Sequence, residues 1–393
     1  MQSLRRQQLK SIYENGLFED VIPFWLQHGI DEEYGGFFTC LDRSGAVIDS
    51  DKAVWQQGRF TWLLAKLYNE FPNHCSEQRS VWLRLANQGA DFLEQHCFDP
   101  TDGRMWFHLT RDGKPIRKRR YAYSESFAAI AFAQLAKAQD DSRYAQLAIN
   151  TFNRFVEHSN CDDPLIAKTT QERPLRSIGI PMITLVTAQE LRDAIDFEQA
   201  RDWIEASIAE IQKYHVKPEE CCVMETVSQN GEIVDHFDGR TLNPGHAIEA
   251  SWFIMDEGMK QSNPELISLG TTILDWMWER GWDSKYGGML YFTDLHDHPV
   301  QEYWHDMKFW WPQNETMIAT LMAYRATGNE KYALWHQRLH DWVYAHFPDT
   351  EHGEWFGYLD RTGRVTSTAK GNFWKGPFHL PRMQMTCARL LDF

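Results

Sequence analysis

The chain is 393 residues long with 43% hydrophobic side chains, enough to bury one large core or two of moderate size in an ordinary globular protein. A formal charge of −15 argues against nucleic acid and anionic membranes as partners. No apolar run reaches membrane-spanning length, MQSLRRQQLK leads into no signal-peptide core, and the seven cysteines lack CxxC spacing, so a cytoplasmic protein with reduced thiols and no structural zinc is expected.

In chain order, apolar residues at helical spacing predict helices over about 3–27, 55–71, 80–97, 123–138, 142–158, 179–196, 199–214, 246–259, 264–279, 312–326, 330–347 and 377–391. After every second helix an aromatic stretch runs into a polar turn with glycine and a short apolar tail. The copies are GGFFTCLDRSGAVI at 35, GRMWFHLTRDGKPI at 103, CCVMETVSQNGEIV at 221, GGMLYFTDLHDHPV at 287 and GEWFGYLDRTGRVT at 353. Each predicts a short β-hairpin. The spacing places a degenerate sixth copy at 161–176. Six units of helix, short connection, helix and long connection make an all-α (α/α)6 barrel, with the hairpins in the long connections at one mouth. No linker or composition shift divides it, so residues 1–393 read as one domain. The basic run Arg117-Lys118-Arg119-Arg120 reads as a solvated loop.

Candidate site residues cluster at predicted helix starts. Trp55, Arg59 and Trp62 share one helical face, and a buried arginine there could hold a carbonyl or enolate oxygen. Tyr123 and Glu125 open the next inner helix behind a serine-containing cap. Asn243 and Pro244 form a cap and first turn that place His246 at the positive end of a helix dipole, where imidazole stays neutral, with Glu249 on the same face. Trp310 and Trp311 make a sugar platform with Glu315 behind it. His379 precedes Pro381 and Arg382 at the last helix, in a repeat position equivalent to that of His246, so the two histidines could face each other across the ring. His296-Asp297-His298 lies in a turn without a distant ligand, and no metal is expected. The seventeen tryptophans suit a sugar cavity and a large core equally well.

VWQQGR, NPGHAIEASWF, KFWWPQNE and KGPFHLPR, together with the first and last hairpins, make the chain resemble the N-acylglucosamine 2-epimerase family nearly end to end. The resemblance implies a homodimeric (α/α)6 barrel that interconverts C2-epimeric monosaccharides or, in some branches, aldoses and ketoses, without cofactor or metal. It implies His246 and His379 as acid/base groups and Arg59, Glu249, Glu315 and Arg382 as polar site residues, the two glutamates fixing the tautomers of the two histidines. The stretch NCDDPLIAKTTQERPLRSIGIPMI lacks the glycine- and lysine-rich loop associated with nucleotide activation, which argues against ATP as an activator. The substrate stays open between N-acetylglucosamine/N-acetylmannosamine and unsubstituted hexoses. Two further readings stand beside it: an inverting glycoside hydrolase using Glu225 and Glu315, and a sugar- or protein-binding relative without turnover, since the family includes a member known for binding renin.

Overall fold

A computed structural model describes residues 1, 3–118, 122–159 and 172–392. Its helices are α1 (Ser3–Asn15), which runs through a π-helical turn (Gly16–Val21) into α2 (Ile22–His28), then α3 (Val54–Glu70), α4 (Ser76–His96), α5 (Tyr123–Gln139), α6 (Ser142–Ser159), α7 (Gly179–Ile195), α8 (Ala200–Glu210), the single turn α9 (Phe237–Arg240), α10 (Pro244–Lys260), α11 (Pro264–Gly281), α12 (Trp310–Thr327), α13 (Glu330–His346) and α14 (His379–Leu390). Helices α3, α5, α7, α10, α12 and α14 form an inner ring; the others pack outside.

Burial separates the two sets. Every residue of α12 from Trp310 to Ala323 is buried, as is every residue of α5 from Ser124 to Ala136. Outer α4 buries only a stripe that includes Trp82, Leu85, Ala86, Gly89 and Leu93, the spacing of a one-sided helix. Gly58 lets α3 approach α5 closely, since a Cβ there would lie 2.8 Å from the Phe127 backbone. The ring closes where α14 returns to α3: Phe378 packs on Trp62 with ring centroids 5.2 Å apart, and Arg389 reaches Glu70 at 3.5 Å. Three inner helices, α5, α7 and α12, end on left-handed residues, Asp140, Asp196 and Gly328, and Asn263 and Asn329 cap the outer helices α11 and α13, which accounts for the short connections there.

Three of the five expected hairpins close on themselves: Cys40–Leu41 with Val47–Asp49, His108–Leu109 with Pro115–Arg117, and Tyr358–Leu359 with Val365–Ser367. The other two pair elsewhere. Cys222–Val223 pairs with Val216–Lys217, Thr226–Ser228 with Leu175–Ser177, and Thr293–Asp294 with Thr241–Leu242. Neighbouring connections lie side by side around the mouth, so a strand edge there meets another segment's backbone. Most of the expected sixth copy, residues 161–171, lies outside the described residues.

The hairpin turns also latch the mouth. Arg111, in the TRDG turn, reaches back to buried Asp31, which Lys52 holds at 2.8 Å. Arg361 does the same to Asp283 beside Lys308, and Arg43 to Asp349 beside Lys370. In each set a buried Lys–Asp pair from one connection accepts an arginine from the following unit, the last unit joining back to the first. Burial alone would raise the Asp31 and Asp283 carboxyls, but the paired cations hold both at about 2. Of the basic run, Lys118 pairs with Asp99 and Asp102, while Arg119 and Arg120 lie outside the described residues.

Candidate active site

All six inner helices start at the hairpin mouth, so their first turns converge on one cavity of about 740 Å³ lined from every side of the ring. This size is ordinary for a small-molecule site. Aromatic rings form its upper wall, among them Trp55, Tyr291, Trp304, Trp310 and Trp311.

The two histidines come together here. Asn243 caps α10, its Oδ1 accepting from the His246 N–H at 3.1 Å, and this fixes the backbone beneath the ring. His246 Nδ1 lies 3.0 Å from Glu225 Oε2, and His379 Nδ1 lies 2.8 Å from Glu315 Oε1. A carboxylate only accepts, and its charge at each Nδ1 outweighs the neutral donor Asn243 Nδ2 at 3.0 Å from His246 and the more distant Arg382 Nη2 at 3.3 Å from His379, so each Nδ1 carries the proton and each Nε2 the lone pair. Trp311 touches both imidazoles, its ring 5.0 Å from that of His246 and 5.8 Å from that of His379. The settings differ: 32% of the His246 side chain is accessible but only 10% of His379's. Burial, with Arg382 and Arg59 nearby, pushes His379 well below the usual histidine range and keeps it neutral.

Glu315 is fully enclosed and its oxygens are shared. One accepts from His379 and from Arg382 at 2.7 Å, the other from Trp252 Nε1 at 2.9 Å. Arg382 also bonds Glu249. Glu249, Glu315 and His379 are the one group among the described residues with three ligand atoms close enough to hold a metal ion. Arg382 Nη2 already bridges both carboxylates and lies 3.3 Å from His379 Nδ1, so a guanidinium carries the positive charge of that cluster.

Arg59 lies across the cavity, wrapped by Trp55, Phe127 and Phe378 at 4.5, 4.1 and 4.6 Å. Burial and the Arg382 charge push its guanidinium down to about 9, still protonated at neutral pH, and its Nε has no hydrogen-bond partner among the described residues. A buried cation so poorly served by the protein is suited to an oxygen supplied by a ligand.

The expected residues therefore divide. His246, His379, Arg59, Glu249, Arg382, Trp310, Trp311 and Tyr123 line the cavity, and Glu315 stands directly behind it. Glu125 does not. Its carboxylate accepts from the Met105 N–H at 2.8 Å and sits near Arg104, the same bracing role that Gln57 plays for Phe37 and Gln313 for Met289. Its helix starts at Tyr123 without a serine cap. Nor does Glu249 orient His246; it serves Arg382, and the His246 partner is Glu225, twenty-one residues upstream in an irregular connection. That separation has no helical periodicity, so only the presence of a carboxylate in the mouth segment marks Glu225.

A family model described as N-acylglucosamine 2-epimerase (GlcNAc 2-epimerase) matches residues 36–376. The chain is 36% identical to the N-acylglucosamine 2-epimerase of Bos taurus over 383 residues, covering 95% of this chain and 89% of that protein. Its backbone is similar to the solved structure of a cellobiose 2-epimerase from Bacillus thermoamylovorans B4167, with TM-score 0.83, 20% identity, and 98% of this chain and 99% of that one covered. It is similar also to the structure of a D-mannose isomerase, with TM-score 0.82, 19% identity, and 96% and 97% covered. What these two structures share with the chain is the ring of helices.

Proposed function

The chain belongs to the N-acylglucosamine 2-epimerase family, and from that membership we propose that it is a sugar 2-epimerase interconverting N-acetylglucosamine and N-acetylmannosamine type monosaccharides, with His246 and His379 as its acid/base pair. The C2 proton of an open-chain aldose is acidic only because the adjacent carbonyl can take up charge. One imidazole removes that proton through Nε2; the electron pair moves into the C1–C2 bond, and the charge settles on the C1 oxygen. Arg59, the underused buried cation, is positioned to stabilise that oxyanion. The opposite histidine, as imidazolium, returns a proton to the other face of C2. Glu225 and Glu315 hold each ring in one tautomer and stabilise the imidazolium formed in turn.

The observation that carries this reading is the pair of imidazoles on one cavity, both in contact with Trp311 and each with Nδ1 held by its own carboxylate. The same pairing counts against a hydrolase built on Glu225 and Glu315. Both carboxylates are committed to histidines, and Glu315 is fully buried behind the cavity wall. The proposal includes no required metal or cofactor. It also includes a cytoplasmic homodimer, as the resemblance to the family implies; among the described residues no helix is long and apolar enough to cross a membrane.

Proton NMR in D2O, with N-acetylglucosamine, N-acetylmannosamine, glucose and mannose offered separately, tests it. Deuterium at C2 of both epimers is the expected result. Appearance of a ketose would redirect the reading to an aldose–ketose isomerase, and release of reducing sugar from a glycoside to a hydrolase. A protein that exchanges no sugar proton would be a binding relative.

A further inference from the structure

The cavity is much deeper on one side. Along α14 its wall runs only from His379 to Arg382, a descent of about 5 Å, whereas along α7 it runs from Gly179 to Glu190, about 16 Å at the helical rise. The deep end lies between α3, α5 and α7, and its walls are Phe127, Ile130, Met182, Ile183 and Val186, with Thr187, whose hydroxyl donates to the Ile183 carbonyl at 2.7 Å. Ile183, Val186 and Glu190 fall at helical spacing on one face of α7, and all three remain partly accessible although α7 is an inner helix. Their accessibility comes from the cavity. At the bottom, Glu190 accepts from Trp62 Nε1 and Gln134 Nε2, both at 3.0 Å, and pairs with Lys66 at 3.2 Å. Its oxygens are thus supplied by the protein.

We propose that this deep chamber receives the acyl chain of a 2-acylamino sugar, and that Val186 limits the length of chain it accepts. The inference rests on the sugar 2-epimerase reading and identifies which of its substrates fit. A hexose carries a hydroxyl on every carbon not bearing its carbonyl, and each hydroxyl buried against Ile130, Ile183 and Val186 would lose water without a replacement partner. The acyl methyl or alkyl tail is the apolar part of an N-acyl sugar that fits such walls. A second sugar ring is as rich in hydroxyls as the first and is excluded by the same argument. The three-turn depth leaves room below an acetyl methyl for further methylenes.

The test is C2 deuterium exchange and turnover by the full-length enzyme with mannose and with N-acetyl-, N-propanoyl- and N-butanoylmannosamine. Expected are N-propanoyl and N-butanoyl values of kcat/KM that stay within about fivefold of the N-acetyl value or exceed it, since one methylene is worth about tenfold or more only where it does not fit. Mannose should fall below all three. Val186→Phe should lower the ratio of N-butanoyl to N-acetyl turnover by about tenfold or more, and Val186→Ala, which removes volume and keeps the helix, should not lower it. A wild-type loss greater than about fivefold on the first added methylene, or mannose turned over as well as N-acetylmannosamine, overturns the assignment while C2 exchange leaves the epimerase reading standing. Exchange with none of the four sugars overturns both.

Discussion

The half of the ring built by α10, α12 and α14 and the half built by α3, α5 and α7 enclose one cavity with opposite chemistry. The first presents His246, Glu249, His379 and Arg382, backed by Glu225 and Glu315, in a shallow layer one or two turns deep. The second presents Arg59 at the same level and then mainly apolar side chains down three turns of α7, with Thr187 among them and the Glu190–Lys66 pair at the floor. In the proposed epimerase the contrast separates two tasks: one wall moves protons and needs fixed tautomers, and the other holds the parts of the substrate that do not react. On that proposal charge is dense where the proton moves, and the apolar side chains of α5 and α7 keep the effective dielectric low beside the developing enolate.

Breaking the polar half should have the largest effect. His379→Ala and His246→Ala are each expected to lower kcat by about 10² to 10⁴-fold with the fold retained by circular dichroism. Each variant should retain C2 deuterium exchange from one epimer better than from the other, because one base survives. Equal residual exchange from both epimers would mean that the two rings do not serve opposite faces. Glu315→Gln comes next, with a loss approaching that of the histidine because the His379 tautomer is no longer held and Arg382 loses a partner. Glu225→Gln should cost less, since His246 is the more accessible ring and its backbone N–H stays capped by Asn243 Oδ1. Reversal of that order, read from kcat for the two variants, would move the weight of the reaction to α10.

A pH profile sharpens the same contrast. A base held below the usual histidine range keeps its lone pair as the solution becomes more acidic, so its neutral form is lost only below the ordinary value of 6.5. The limb of kcat/KM that reports His379 is expected on the acid side of that value, with activity rising as pH increases through it. A limb above 6.5 in the free enzyme would contradict burial and the two guanidiniums as the controlling influences.

The difference between the halves was only partly legible in the sequence. His246 and His379 could be placed because Asn243-Pro244 and Pro381 mark helix starts, and helix starts in a ring of hairpins must converge. Which groups meet across the ring was not legible. Glu249 shares a helix face with His246, yet that face also looks toward α14, where Arg382 is the stronger partner. Glu125 occupies the first turn of an inner helix just as the cavity-lining residues do, and nothing local distinguishes it from Gln57 or Gln313, which brace backbone. The apolar lining of α7 reads as core in any periodicity plot, since a side chain facing a cavity and one facing a neighbour obey the same helical spacing. Hairpin pairing failed at 221–234 and 287–300 for a related reason: turn chemistry specifies a reversal, and strand partners depend on which connection lies alongside.

The smallest effect on turnover is expected where both halves depend on the same device, the latched mouth. Asp283→Asn leaves Lys308 buried without its counter-charge and releases Arg361, a loss of about 3–5 kcal/mol when one partner of a buried pair is removed. Thermal unfolding should register that as a lowered Tm, while kcat at 25 °C changes far less than in the histidine variants, because Asp283 touches no group that lines the cavity. The acid response has a defined sign. Asp31 and Asp283 hold carboxyl values near 2 against 3.8 when unfolded, so their stabilisation is complete above 3.8 and is lost as pH falls toward 2. Asp31 bears on the α3–α5 side and Asp283 on the α12–α14 side. If Asp31→Asn and Asp283→Asn lower Tm equally and additively, the mouth is held by independent latches; if the double variant loses more than the sum, the arginines couple the two walls into one rigid rim.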